Sequence, residues 1–142
     1  MIDNQTAPYA ALILRVSMGV LFIAHGLLKV LVFTIPGTVA FFESLGLPAI
    51  AAYATIAAEL IGGVALILGI GTRIVAVGLI PLMLGATWTH LGNGWVFSAE
   101  GGGWEFPAFW TVMLVVQALL GSGAYAISLT GNRSANGAPA RA

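Results

Sequence analysis

The residues with chemistry to offer in this chain are few: Arg15, His25 and Lys29 in one apolar run, Glu59 in a second, His90 in a third and Gln117 in a fourth. A carboxylate beside a basic group can relay a proton, and two imidazoles can hydrogen-bond a polar head group, shuttle a proton or ligate a metal. On a helix, Arg15, Met18, Gly19, Phe22, His25, Gly26 and Lys29 share one face by their i, i+3, i+4, i+7 spacing, while Val16, Val20, Leu21, Ile23, Leu27 and Val30 cover the rest. A basic side chain at bilayer depth costs roughly 2.5 to 3.5 kcal/mol. The polar stripe must therefore face protein or water, and it needs an acidic partner.

Composition says what those residues are embedded in. Of 142 residues 59% are hydrophobic and 7% charged, with a mean hydropathy of +1.00, whereas a soluble domain carries about 25% charged residues. A soluble fold could not cover its surface with this chain. The formal net charge is zero and only five Lys and Arg are present, which excludes a phosphate-tracking surface for nucleic acid. With no cysteine, the chain itself offers no disulfide, thiol nucleophile, thiolate-held cluster or covalent c-type haem. The start, Met-Ile-Asp-Asn-Gln-Thr, lacks the basic region of a cleaved signal peptide, so the first apolar run is expected to stay in the protein.

The elements that must position the polar groups follow from the apolar runs and their breakers. Residues 1–7 read as a polar lead, residues 8–130 as one four-helix domain, and residues 131–142 as a disordered tail. Spans are expected over about 8–33, 48–70, 73–91 and 107–129, each near the ~20 residues a crossing needs. Between the first two, Val39 to Leu45 is amphipathic and reads as a short interfacial helix. Pro48 and Pro107 are placed to open helices, Pro81 to kink the third span, and Gly71-Thr72-Arg73 to make a tight turn between antiparallel neighbours. The fold class is thus all-α, an integral membrane four-helix bundle. A shift of 58 residues lays Arg15 on Arg73, Glu59 on Gln117 and Gly63 on Gly121, which suggests two parallel helical-hairpin repeats. Arg73, Arg133 and Arg141 fall on the side of the N-terminus, while the opposite loops hold Glu43, Glu100 and Glu105, so both termini are expected in the cytoplasm. Trp88, Trp95, Trp104 and Trp110 would then form an aromatic belt on the other side.

Depth along the helices assigns the partners. At 1.5 Å per residue, Arg15 falls ~10 Å and His25 ~25 Å in from the start of the first helix, with Glu59 on the returning helix at ~17 Å. Glu59 is the acidic partner expected for Arg15, Gln117 shares its level on the fourth helix, and His90 shares that of His25. Two polar layers result, with Lys29 above them. The Arg15–Glu59 pair reads either as a structural pair that orients helices or as a proton relay. The histidines read either as packing residues or as ligand groups; axial ligation of a b-type haem by His25 and His90 is geometrically conceivable. Lys29 reads either as a snorkelling anchor or as a binding group. No metal motif is present.

The set Arg15-x3-Gly19-x5-His25-Gly26-x2-Lys29, then Leu45-Gly46-Leu47-Pro48, then Glu59-Leu60-x-Gly62-Gly63 running to Gly69-x2-Thr72-Arg73, resembles the DoxX family of small four-helix bacterial and archaeal membrane proteins. The similarity covers roughly residues 10–130. It implies a multi-pass protein of the cytoplasmic (inner) membrane, associated with respiratory or redox chemistry and often labelled an oxidoreductase. The leading expectation is a quinone-interacting subunit of a membrane redox system. Glu59, Arg15 and His25 would be its catalytic residues, and His25, Lys29, His90, Gln117 and Phe22 its substrate-binding residues. Quinone is the ligand expected, no cofactor is encoded by a motif, and the electron source would be another membrane or soluble subunit. The alternatives are a non-enzymatic scaffold or assembly factor, since the family is also related to eukaryotic cargo receptors and assembly factors, and a small transporter, for which four helices would have to form a homo-oligomer.

Overall fold

The computed structural model describes residues 3–127; the expected tail and its Arg133 and Arg141 lie outside them. Among the described residues the chain is helical without strands: α1 (Ala7–Leu31), α2 (Ile35–Ser44), α3 (Ala49–Leu68), α4 (Thr72–His90) and, after a single 3-10 turn at Leu91–Asn93, α5 (Glu105–Leu120). α1, α3 and α4 are long and apolar enough to cross a membrane, and α5 is a shorter apolar helix of 16 residues. Exposed Ile13, Ile61, Ile74 and Leu119 cover the outside, while the core is built from Met18, Phe22, Leu66, Leu79, Met83, Trp110 and Leu114. An integral membrane helical bundle has this inside-out distribution because lipid is as apolar as its core.

The bundle is made of two hairpins. α1 packs chiefly on α3 and α4 on α5, and the two pairs meet along the thinner seam between α3 and α4. Small residues set the first pairing. A Cβ on Gly19 would lie 2.6 Å from the carbonyl oxygen of Gly63, and one on Gly63 would lie 2.8 Å from that of Gly19, so the backbones cross with no room for a side chain. Seven residues on, Gly26 leaves the space that Leu60 and the Cβ of Glu59 fill. The glycines of the polar stripe thus bring α3, and with it the carboxylate, against α1.

α2 begins earlier than its amphipathic pattern indicates. Thr34 accepts a hydrogen bond from the amide of Gly37 at 3.3 Å, and Pro36 falls in the first turn, where its missing N–H costs nothing. The buried hydroxyl of Thr38 donates to the carbonyl of Lys29 at 2.9 Å and ties α2 across the end of α1. We call this the loop end of the bundle, and the side of the Gly69–Gly71 turn the turn end.

The fourth helix stops well short of residue 129, at Gly121, and Arg15 holds the segment beyond it. Its guanidinium is 1% exposed and donates to four carbonyls: Leu66 at 2.9 Å, Ile67, Ser122 at 2.8 Å and Ala124 at 2.8 Å. The first two belong to the last turn of α3, whose carbonyls lack helical donors. Ala65 and Leu68 are served by the amides of Ile70 and Ile127. The other two lie just beyond α5, where Gly121 at φ +85° breaks the helix and turns residues 121–127 back across the start of α1. Arg15 thereby joins three helices at the turn end. A lysine, with one compact ammonium, cannot span these four acceptors. Arg15→Lys should lower thermal stability in detergent by about 3 kcal/mol, the scale of breaking a buried charged network, and should open the 121–127 segment to limited proteolysis. An unchanged melting curve would contradict this account.

Candidate functional site

The polar groups separate into two sets. Arg15 and Gln117 sit at the turn end. Gln117 is fully buried, and its amide donates to the carbonyl of Gly121 at 2.7 Å. It is in the last turn of α5 because that helix ends at Leu120, so it does not share the level of Glu59. Arg15, spent on carbonyls, makes no pair with Glu59. The expected pairing is replaced by another: Lys29 Nζ donates to Glu59 Oε1 at 2.7 Å. Lys29 can reach because it lies one turn beyond Gly26, against which Leu60 and Glu59 of α3 pack, and its long stem points back along the helix toward the carboxylate. Phe22 is also outside the site; it is fully buried in the core, its ring 4.5 Å from that of Trp110.

At the loop end His25, Lys29, Glu59 and His90 line one cavity of about 410 Å³ with Met83, Phe106 and Trp110 among its walls. A volume of this size fits a small ring compound, and its mix of apolar wall and few polar groups is typical of ligand sites. Glu59 is 4% exposed and its Oε2 has no hydrogen-bond partner. Trp110 is 4% exposed and its indole N–H is likewise without an acceptor. Buried polar atoms are normally satisfied, so two residues of the cavity wall, Glu59 and Trp110, each carry a buried polar atom without a partner. The Lys29–Glu59 pair is neutral as a unit, which suits an uncharged ligand.

The imidazoles are held in different ways. His25 Nδ1 lies 2.8 Å from the carbonyl of Leu21, so that nitrogen carries the proton and Nε2 remains free. Its ring meets Trp110 edge-on at 5.2 Å. His90 lies at the end of α4, with the amide of Asn93 3.4 Å from Nδ1. The same Asn93 amide donates to the carbonyls of Gly101 and Gly102 at 2.9 and 3.0 Å. It thus fastens the glycine-rich loop beside His90. Glu105 Oε1 accepts from the amide of Phe97 at 2.9 Å and closes the same loop from its other side. Among the described residues no group of three or more metal-ligating side chains is assembled.

Trp110 is the wall residue that the sequence did not reveal. It was expected in the interfacial belt with Trp88 and Trp95, which are indeed more than half exposed, but it faces inward. The i, i+4 pair Phe106 and Trp110, rings 5.5 Å apart, was the available signal.

The Lys29–Glu59 pair generates a test of its own. Lys29→Met leaves a buried carboxylate unpaired and should cost about 3 to 5 kcal/mol in detergent unfolding. Adding Glu59→Gln to it should restore most of that loss. A double variant no better than the single one would show that the two side chains are not coupled.

The model of the DoxX family matches residues 10–92. All four polar residues of the cavity lie within that stretch, whereas Phe106 and Trp110 lie beyond it. The chain is similar to "Putative oxidoreductase CatD" of Bacillus subtilis (strain 168), being 43% identical over 83 residues, which is 58% of this chain and 60% of that protein. It therefore spans about three fifths of the length of that relative. No solved structure matches the chain.

Proposed function

The chain belongs to the DoxX family, and from that premise we propose that it is a quinone-interacting subunit of a redox system in a bacterial or archaeal cytoplasmic membrane. The observation that carries the reading is the convergence of His25, Lys29, Glu59 and His90 on one aromatic-walled cavity at the loop end. The name of the Bacillus subtilis relative, an oxidoreductase, agrees with it. The basic residues at the turn end support a loop end facing away from the cytoplasm.

A quinone head group is uncharged, flat and apolar apart from its oxygens, and when bound it supplies the two-electron chemistry. The residues of this chain bind it and handle protons. Lys29 Nζ has N–H groups left beyond the one given to Glu59 and can donate to a carbonyl oxygen. The indole N–H of Trp110 is a second donor without a partner. Glu59 Oε2 is an acceptor for the O–H of the reduced ring, and His25 Nε2 can take the proton on. From there His90, at the mouth beside the glycine-rich loop, leads to solvent. Electrons would be exchanged with a partner subunit.

Glu59→Gln keeps the size of the side chain and removes its charge and its proton-accepting oxygen. Quinone extracted from the detergent-purified protein and quantified by mass spectrometry should approach one per chain in the wild type. It should fall by about tenfold in Glu59→Gln, the loss of one charge-assisted hydrogen bond. Absence of quinone from a well-folded wild type would sink the proposal and move a scaffolding role ahead of it.

A further inference from the structure

Resting on the quinone reading, we infer that the groove between α2 and α4 holds the apolar tail of the ligand and that Gly85 sets which tails the protein accepts. The groove has a volume of about 390 Å³ and runs from Lys29, Glu59 and His90 outward between Phe42, Pro81 and Gly85. It adjoins the head-group cavity, with which it shares those three polar residues. A ring held at Glu59 and Lys29 has its substituent at the mouth of this groove.

The groove exists because the seam between the two hairpins is uneven. Near the turn end Leu79 fills it, lying 3.1 Å from where a Cβ on Gly62 would stand. Toward the loop end Gly85, six residues on and therefore on a different, exposed face of α4, lines the groove, and a Cβ there would meet nothing within 4 Å. Gly85 is not required by its backbone, which is ordinary helix, nor by a close neighbour. A glycine in mid-helix costs about 1 kcal/mol relative to alanine, and what it provides here is open space. α2 roofs that space: it is fixed to α1 through Thr38, so Phe42 stays over the groove. A second opening of about 620 Å³ between α1 and α2, bordered by Leu28 and Phe33, shares His25, Lys29 and His90 with the head-group cavity, but Glu59 does not line it.

The test uses the full chain in detergent and two probes: a benzoquinone without a tail, and the same ring bearing a decyl tail. Binding of each is measured by equilibrium dialysis for the wild type, Gly85→Phe, Gly85→Leu and Leu28→Trp. Both glycine variants raise helix propensity and point into open space, so folding should survive; the leucine serves if the phenylalanine protein does not purify as a single species. The preference for the tailed probe should fall by about tenfold in the glycine variants, what two excluded methylene groups are worth. Affinity for the tail-less ring should not change, and Leu28→Trp should keep the wild-type preference. A preference that survives in folded Gly85→Leu, an equal loss of both probes, or a loss in Leu28→Trp instead would each overturn the tail assignment while leaving the head-group site standing. If the wild type binds neither probe, the quinone reading itself fails and the tail assignment falls with it.

Discussion

The architecture depends on one buried guanidinium. Helices end with carbonyls that have no amide to bond, and in a membrane an unsatisfied carbonyl is costly. Arg15 answers that need for the last turn of α3 and, with the rest of its fork, holds the segment that follows α5 against it. The negative ends of the helix dipoles supply the counter-charge that an acid would otherwise provide. The second hairpin has a related arrangement, Arg73 lying beside Gly121 with its Nε 3.1 Å from where a Cβ would stand, although Arg73 is exposed and Arg15 is not.

Closing the turn end in this way fixes what the other end can be. α1, α3 and α5 are tied together there, Gly19 and Gly63 are in backbone contact a little further along, and Gly26 keeps α3 packed on α1 toward the loop end. Gly26 admits Glu59, Lys29 bends toward it, and the volume left over is lined by two histidines and the rings of α5. The apolar core of Phe22, Leu66, Leu79, Met83 and Leu114 separates the two polar sets. The polar side chains nearest Glu59 therefore lie toward the loop end rather than toward Arg15.

The sequence reveals the helices, the polar stripe and the fact that Glu59 must have a basic partner, because apolar run length and 3.6-residue spacing are local properties. It also brings His25 and His90 to one level by counting residues. It does not reveal which base Glu59 pairs with. Depth counting treats every span as complete, but α5 ends at Leu120, where Gly121 turns the chain, and the carbonyls beyond it bond to Arg15, a contact across more than 100 residues. That same shortening moves Gln117 out of the middle layer. Trp110 was hidden for a related reason: its place near the end of an apolar span suits an interfacial anchor as well as a wall residue, and only the packing of α5 on α4 and α1 decides between them.

Two buried charges in one small bundle invite a comparison that separates structure from function. Arg15 is well used, all three nitrogens of its guanidinium donating to backbone carbonyls. Glu59 is half used: one oxygen holds Lys29 and the other, equally buried, holds nothing. A pair retained only to orient helices gains nothing from an idle oxygen, since a buried charge is tolerable to the degree that its lone pairs are engaged. A shorter or apolar pair would pack α1 on α3 as well. The idle oxygen lies on a residue that borders a cavity whose wall also carries an idle indole N–H. An unpartnered acceptor and an unpartnered donor on the residues around one apolar space cost stability, and a structural role alone does not account for that cost.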